Sequence, residues 1–215
     1  MRGLVAAALL ALAGHAAATP LQVSVLDKEG KPVINAVVVV VSAAAVPAAT
    51  PGLPKDVVIA QQNMRFMPAI SLVAVGAKAR FLNNDPWEHH VRASAAGIAQ
   101  FNDDAAGGFE LRIDGKQDGK PGKFADAVFD KAGAVLLGCH LHNSMRGHVY
   151  VSDSPWASLT SAEGVASLDV PEGAAIIKVW HPDQLIDIAP QQTVISAAPA
   201  KATMQLSVVP RGRRI

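Results

Sequence analysis

Apolar residues along this chain fall in short runs broken by glycine, proline and charged residues. Leu21, Val23 and Val25 alternate with polar neighbours, the two-residue period of a strand with one buried face. Residues 27–32 form a polar, glycine- and proline-containing turn, and residues 33–41 are rich in β-branched side chains, which favour strands. Residues 42–54 carry alanine, threonine and three prolines and predict a loop or linker. Further strands are predicted over 57–60, 70–75 and 77–82, with a turn at Gly76 and a break at Asn83-Asn84-Asp85-Pro86. Residues 102–123 are rich in glycine and acids and predict a loop holding one short strand, 109–113. Residues 128–129, 134–137 and 147–151 read as strands, as do 157–159, 165–170, 174–180, 193–196 and 202–209. Beyond residue 18 no convincing amphipathic helix is found. Short, closely spaced strands separated by turn signals predict an all-β, sandwich-type architecture.

The first residues follow a different rule. Arg2 precedes an apolar run over 4–13, and Ala16-Ala17-Ala18 supplies the small residues of a processing site. This is the pattern of a secretory signal peptide cleaved after Ala18. The run is shorter than the ~20 residues a bilayer span needs. The mature chain is therefore expected to be exported, periplasmic, and without an integral membrane segment after cleavage. Half of the residues are apolar, enough for a core, and the formal net charge is +1. That balance gives no electrostatic footprint for nucleic acid, so none is expected as a partner. Arg211, Arg213 and Arg214 read as a solvated end.

Cys139 is the only cysteine, so no intrachain disulfide can form. In an oxidising compartment a lone thiol is at risk unless it is buried or bonded to something. Its surroundings point to a metal. Gly138-Cys139-His140-Leu141-His142-Asn143-Ser144-Met145-Arg146-Gly147 places a thiol, an imidazole and a thioether within seven residues, between two predicted strands. His89-His90 lies about fifty residues upstream, after a strand and a break. A thiolate and two imidazoles in a trigonal plane with a weak axial thioether form the donor set suited to copper electron transfer. The competing readings are plainer. His142 could be a surface histidine and Met145 core filler. Zinc could use Cys139, His140, His142 and His89, but adjacent strand residues face opposite ways, which separates His140 from Cys139. His148 reads as structural or surface, His181 as a turn residue, and Met64 and Met67 as core packing. Asp103, Asp104 and Asp114 are too few for a calcium loop.

The segment from Cys139 to Gly147 resembles the Cys-x-x-His-x-x-Met ligand loop of the cupredoxin family in its amicyanin-like form, including the Arg-Gly after the methionine. Phe129-Asp130-Lys131-Ala132-Gly133 resembles the lead-in of plastocyanin-like members. Phe66-Met67-Pro68 and the stretch from Gly76 to Asp85 are similar to the strands before the family's first ligand. The resemblance covers residues 57–151. It implies a Greek-key β-sandwich and one copper ion cycling between Cu(I) and Cu(II), held by His89, Cys139, His142 and Met145. It also implies single-electron transfer between redox partner proteins rather than enzymatic turnover. Glu88-His89-His90-Val91 aligns with the family's Pro-His-Asn-Val, so His90 occupies the place of an asparagine that ties the two ligand loops. Gly138 stands where an aromatic is common, which implies looser packing behind the thiolate. His140 follows the cysteine as in multicopper oxidases, but Gly138 and the lack of His-x-His pairs elsewhere argue against such an activity. A copper carrier, sensor or storage protein using the same ligands is the alternative.

The ends carry a second resemblance. Residues 21–41, with Asp27-Lys28-Glu29-Gly30-Lys31-Pro32-Val33, resemble the first hairpin of carboxypeptidase-regulatory-like or transthyretin-like domains. Thr160-Ser161-Ala162-Glu163-Gly164 and Val170-Pro171-Glu172-Gly173 resemble their later turns. The expected organisation is a signal peptide (1–18), the first part of a smaller Ig-like or transthyretin-like sandwich (19–50), an inserted cupredoxin domain (51–152), and the second part of the flanking sandwich with the tail (153–215).

Overall fold

The computed structural model describes residues 18–46, 50–97 and 108–211. Residues 1–17 of the expected signal peptide lie outside these, as do Asp103, Asp104, Arg213 and Arg214. Sixteen strands follow in order: β1 (Ala18–Leu26), β2 (Val37–Ser42), β3 (Asp56–Gln62), β4 (Arg65–Met67), β5 (Ile70–Ala74), β6 (Ala77–Asn83), β7 (His89–Ala95), β8 (Phe109–Ile113), β9 (Lys123–Phe129), β10 (Gly133–Cys139), β11 (Arg146–Ser152), β12 (Ala157–Leu159), β13 (Val165–Pro171), β14 (Gly173–Trp180), β15 (Gln191–Ile195) and β16 (Ala200–Gln205). Among the described residues there is no α-helix, so the fold is all-β.

The strands form four sheets, ordered β13-β1-β16, β12-β2-β14-β15, β5-β11-β10-β7-β8 and β4-β3-β6-β9. Three apolar clusters lie between them in turn. The first, with Leu21, Val23, Val38, Val40, Leu168 and Ile177, joins the two sheets built from the chain ends. The second, with Ile59, Phe66, Phe81, Val91, Leu137 and Val149, joins the other two. The third, with Val37, Val39, Ile70, Trp180 and the flanking Leu136 and Tyr150, lies between the two inner sheets. This layering explains the sequence pattern. Val37 to Val40 are all buried because β2 meets a core on each face, and a strand buried on both sides reads as a continuous apolar run. Each such valine contributes roughly 1.5–3 kcal/mol by leaving water. In β10, Val135, Leu137 and Cys139 face the second core, while Ala134 and Leu136 pack on the third.

Strands from the two ends of the chain pair with one another. β1 runs antiparallel to β13, with Val23 opposite Ala166, and parallel to β16, with Val25 opposite Met204. β2 lies between β12 and β14, with Val38 opposite Ser158 and Val179. Thr160 fastens the arrangement: its Oγ1 donates to the Val33 carbonyl at 2.6 Å and accepts from the Ala36 N–H at 2.9 Å. Strands β3 to β11 are strung between β2 and β12.

Three expectations need correction. β1 and β2 are not a hairpin. They lie in different sheets: the chain turns back after β1, with a bridge between Leu26 and Pro32 and the Val33 N–H donating to the Val25 carbonyl, before β2 enters an inner layer, because β2 has two apolar faces. β4 was suggested only by the family resemblance of Phe66-Met67-Pro68, and β7 was not anticipated. β4 spans three residues, and β7 carries His90, Arg92 and Ser94 between its inward His89, Val91, Ala93 and Ala95, which masks its strand character. β9 begins five residues before the predicted strand: its inward Ala125 and Ala127 are small and half-buried while Phe124 and Val128 face outward, so no apolar–polar alternation marks it.

Candidate metal centre

The break at residues 83–87 is a built turn. Asn83 is fully buried; its Oδ1 accepts from the Asp85 N–H at 2.9 Å, and its Nδ2 donates to the carbonyls of Trp87, Ile113 and Asp114. Gly115 lets the neighbouring loop come close, since a Cβ there would meet the Pro86 carbonyl oxygen at 2.1 Å. The turn delivers His89 to the first position of β7 with its ring inside the sandwich, 0% exposed. Asp85, also buried, accepts from the backbone N–H groups of Asn63 and Met64 and lies 2.8 Å from His89 Nε2.

Burial pushes the Asp85 carboxyl up, but the hydrogen bonds from Met64, His89 and Asn63 outweigh it and hold the group below the usual carboxylate range. An ionised Asp85 only accepts, so the His89 proton resides on Nε2 and the Nδ1 lone pair is free to bind. Sequence reading treated Asp85 as part of a break and missed this role. The visible signal was a carboxylate four residues before a candidate ligand.

Cys139 ends β10 and is 6% exposed. The chain then turns twice at three-residue spacing: the His142 N–H reaches the Cys139 carbonyl, and the Met145 N–H reaches the His142 carbonyl at 2.9 Å. Each turn returns the third residue to the same end of the sandwich, which is why the spacing Cys-x-x-His-x-x-Met matters. The Cys139 Sγ lies 3.6 Å from His89 Nδ1 and 3.5 Å from His142 Nδ1. The two imidazoles meet edge to face, with centroids 5.0 Å apart. Ligand atoms of His89, Cys139 and His142 all lie within 4.8 Å of one another. Met145 is buried in the second core with Cys139, 1% exposed.

His90 and His140 turn the other way. Their rings stack at 4.7 Å, the His140 N–H bonds the His90 carbonyl, and Glu110 lies 3.3 Å from His90 Nε2 and 3.8 Å from His140 Nε2. A stacked histidine pair thus joins the two ligand-bearing strands where the family resemblance had an asparagine. Gly138 has open space around it, in a hollow of about 450 Å³ bordered by Leu136, Cys139, His140 and Met145. His148 is remote from the trio, with its ring 5.7 Å from that of Trp180. His181 occupies a turn, its Nδ1 accepting from the Asp183 N–H. Met64 and Met67, read as core, are exposed instead. Met64 sits in the β3–β4 turn and Met67 ends β4, both on the surface.

The donor set fits a single ion. Metal–sulfur and metal–nitrogen bonds of roughly 2.3 and 2.0 Å put sulfur and nitrogen about 3.5 Å apart in a tetrahedral site and about 3.7 Å apart in a trigonal one. The observed separations, 3.5 and 3.6 Å, fall in that range.

No family model matches the chain, and no curated protein matches it. Among solved structures, two amicyanin variants in the oxidised state are similar at 17% and 19% identity, each covering 53% of this chain and 98% of their own, with TM-scores of 0.34 and 0.35. A purple cupredoxin from Nitrosopumilus maritimus is similar at 20% identity over 44% of this chain and 96% of its own, with a TM-score of 0.34. In this chain two facing sheets hold a His–Cys–His trio at one end, between β7 and the β10–β11 loop.

Proposed function

We propose that this protein is a blue-copper carrier of single electrons, exported to the periplasm and acting between redox partner proteins. The observation that carries the reading is the approach of two Nδ1 atoms to one buried thiol at 3.5 and 3.6 Å. A bound copper ion would supply a reversible Cu(I)/Cu(II) couple. His89, Cys139 and His142 would hold it, with Met145 as a weaker fourth donor.

The residues divide the work. Asp85 keeps His89 in one tautomer and one orientation. The buried walls exclude water and keep the thiol from oxidation. Ligands fixed by the turn, β7 and the β10–β11 loop demand little rearrangement between oxidation states, and little rearrangement favours fast electron transfer. His142 is the less buried imidazole, with the exposed Trp87 6.4 Å away between ring centroids. Exposed Leu141, Met67 and Pro68 extend an apolar rim for a partner at this end. Electrons would pass through His142 to that rim. Among the described residues no helix is long and apolar enough to cross a membrane. The flanking sandwich serves as a rigid support or docking module.

The test is to load the mature chain with Cu(II) and record visible and paramagnetic spectra, then cycle the potential. An intense thiolate-to-copper band with a reversible couple is the expected result. Release of the metal on reduction would favour a copper carrier, and absence of tight binding would end both readings.

A further inference from the structure

Gln61 is 0% exposed, and among the described residues neither its Oε1 nor its Nε2 has a hydrogen-bond partner. A carboxamide buried with both ends unpaired is costly, and native proteins seldom keep one without a reason. Strand register fixes where it stands. Gln61 is paired with Phe66 on β4 and Asn83 on β6, and it shares an inward face with Ile59 of the second core. Asn83 reaches across to the carbonyl of Ile113, the residue paired with His89. Phe66 packs on Gly147, just past Met145 and paired with Leu137, two residues before Cys139. The row Phe66–Gln61–Asn83 therefore faces the strand ends that bear His89, Cys139 and Met145, and Gln61 is its middle member.

Resting on the copper reading above, we infer that Gln61 is a further polar partner of the metal centre, presenting its carboxamide oxygen toward the bound ion from the sheet opposite Cys139. The carboxamide oxygen then has its partner in the bound ion. An oxygen donor is harder than the sulfurs and favours Cu(II) over Cu(I).

The experiment compares the parent with Gln61→Leu and Gln61→Glu, each with and without copper. For Gln61→Leu the metal-free melting temperature should match or exceed the parent's, because an unpaired amide is removed. Copper affinity should fall about 10- to 100-fold, the paramagnetic signal should change, and the potential should rise. Gln61→Glu should lower the potential by placing negative charge near the ion. Equal shifts in the melting temperatures of metal-free and loaded Gln61→Leu, with affinity, spectrum and potential unchanged, would overturn the inference. Should Gln61→Leu fail to fold, the potential of Gln61→Glu decides: a fall sustains the inference and an unchanged value overturns it. A parent protein without a thiolate-to-copper band would instead refute the copper reading itself.

Discussion

In the sandwich built from the chain ends, buried polar side chains serve the backbone beside them. Asp27 accepts from Glu29 and Lys31 within its turn, Ser154 donates to the Val40 carbonyl, Thr160 spans Val33 and Ala36, and Gln184 reaches Ile186 and Ser207. In the other sandwich Ser71 and Ser152 are buried on β5 and β11, but Gln61, Asn83, Asp85 and His89 form a group of their own on the sandwich that holds Cys139 and Met145. The first set closes loops over an aliphatic core. In the second, Asn83 and Asp85 brace the turn before His89, and two imidazole nitrogens approach one thiol. Burial of polar groups alone thus does not mark a site. A site is marked where such groups converge from strands distant in sequence and leave lone pairs unspent, as the Nδ1 atoms of His89 and His142 do beside one thiol.

The comparison can be broken by substitutions on either side. Cys139→Ser should have the largest effect, abolishing the thiolate-to-copper band while the far-ultraviolet β signature of the flanking sandwich persists. Visible absorption of the Cu(II)-loaded variant checks this. Ile177→Ala, in the first core, should cost about 2–5 kcal/mol of unfolding free energy by leaving a cavity. Its copper band should stay where it was, and a displaced band would show that the two halves are not distinct in function. Asp85→Asn should weaken copper binding about 10- to 100-fold by loosening the hold on His89. A competition titration with a copper chelator reads that loss. Met145→Leu should be mildest, costing under about 1.5 kcal/mol as a near-isosteric swap. It should retain copper with a higher potential, and loss of all copper in that variant would contradict its role as a weaker donor.

Much of the site could be read from the chain because its chemistry is local. Cys139, His142 and Met145 sit within one loop, and the three-residue spacing that repeated turns require is written in the order of residues. The strand habit of Leu21, Val23 and Val25 was equally plain, since alternation needs no knowledge of a partner. β7 was missed because His89, His90 and Arg92 suggest chemistry rather than a strand. Met64 and Met67 were misjudged because a methionine's burial depends on whether another layer lies over it.

Residue types and spacing were enough to settle the all-β character, the loop that offers sulfur and nitrogen donors, and the histidine pair upstream. Those features depend on near neighbours along the chain. Which face each histidine takes, the partnership of Asp85 with His89, the stacking of His90 on His140, and the unpaired state of Gln61 depend on strands brought together from far apart. Pairing register and layer order set those contacts, and both arise from burying β2 and β10 on two faces at once, a result of packing that short-range pattern does not contain.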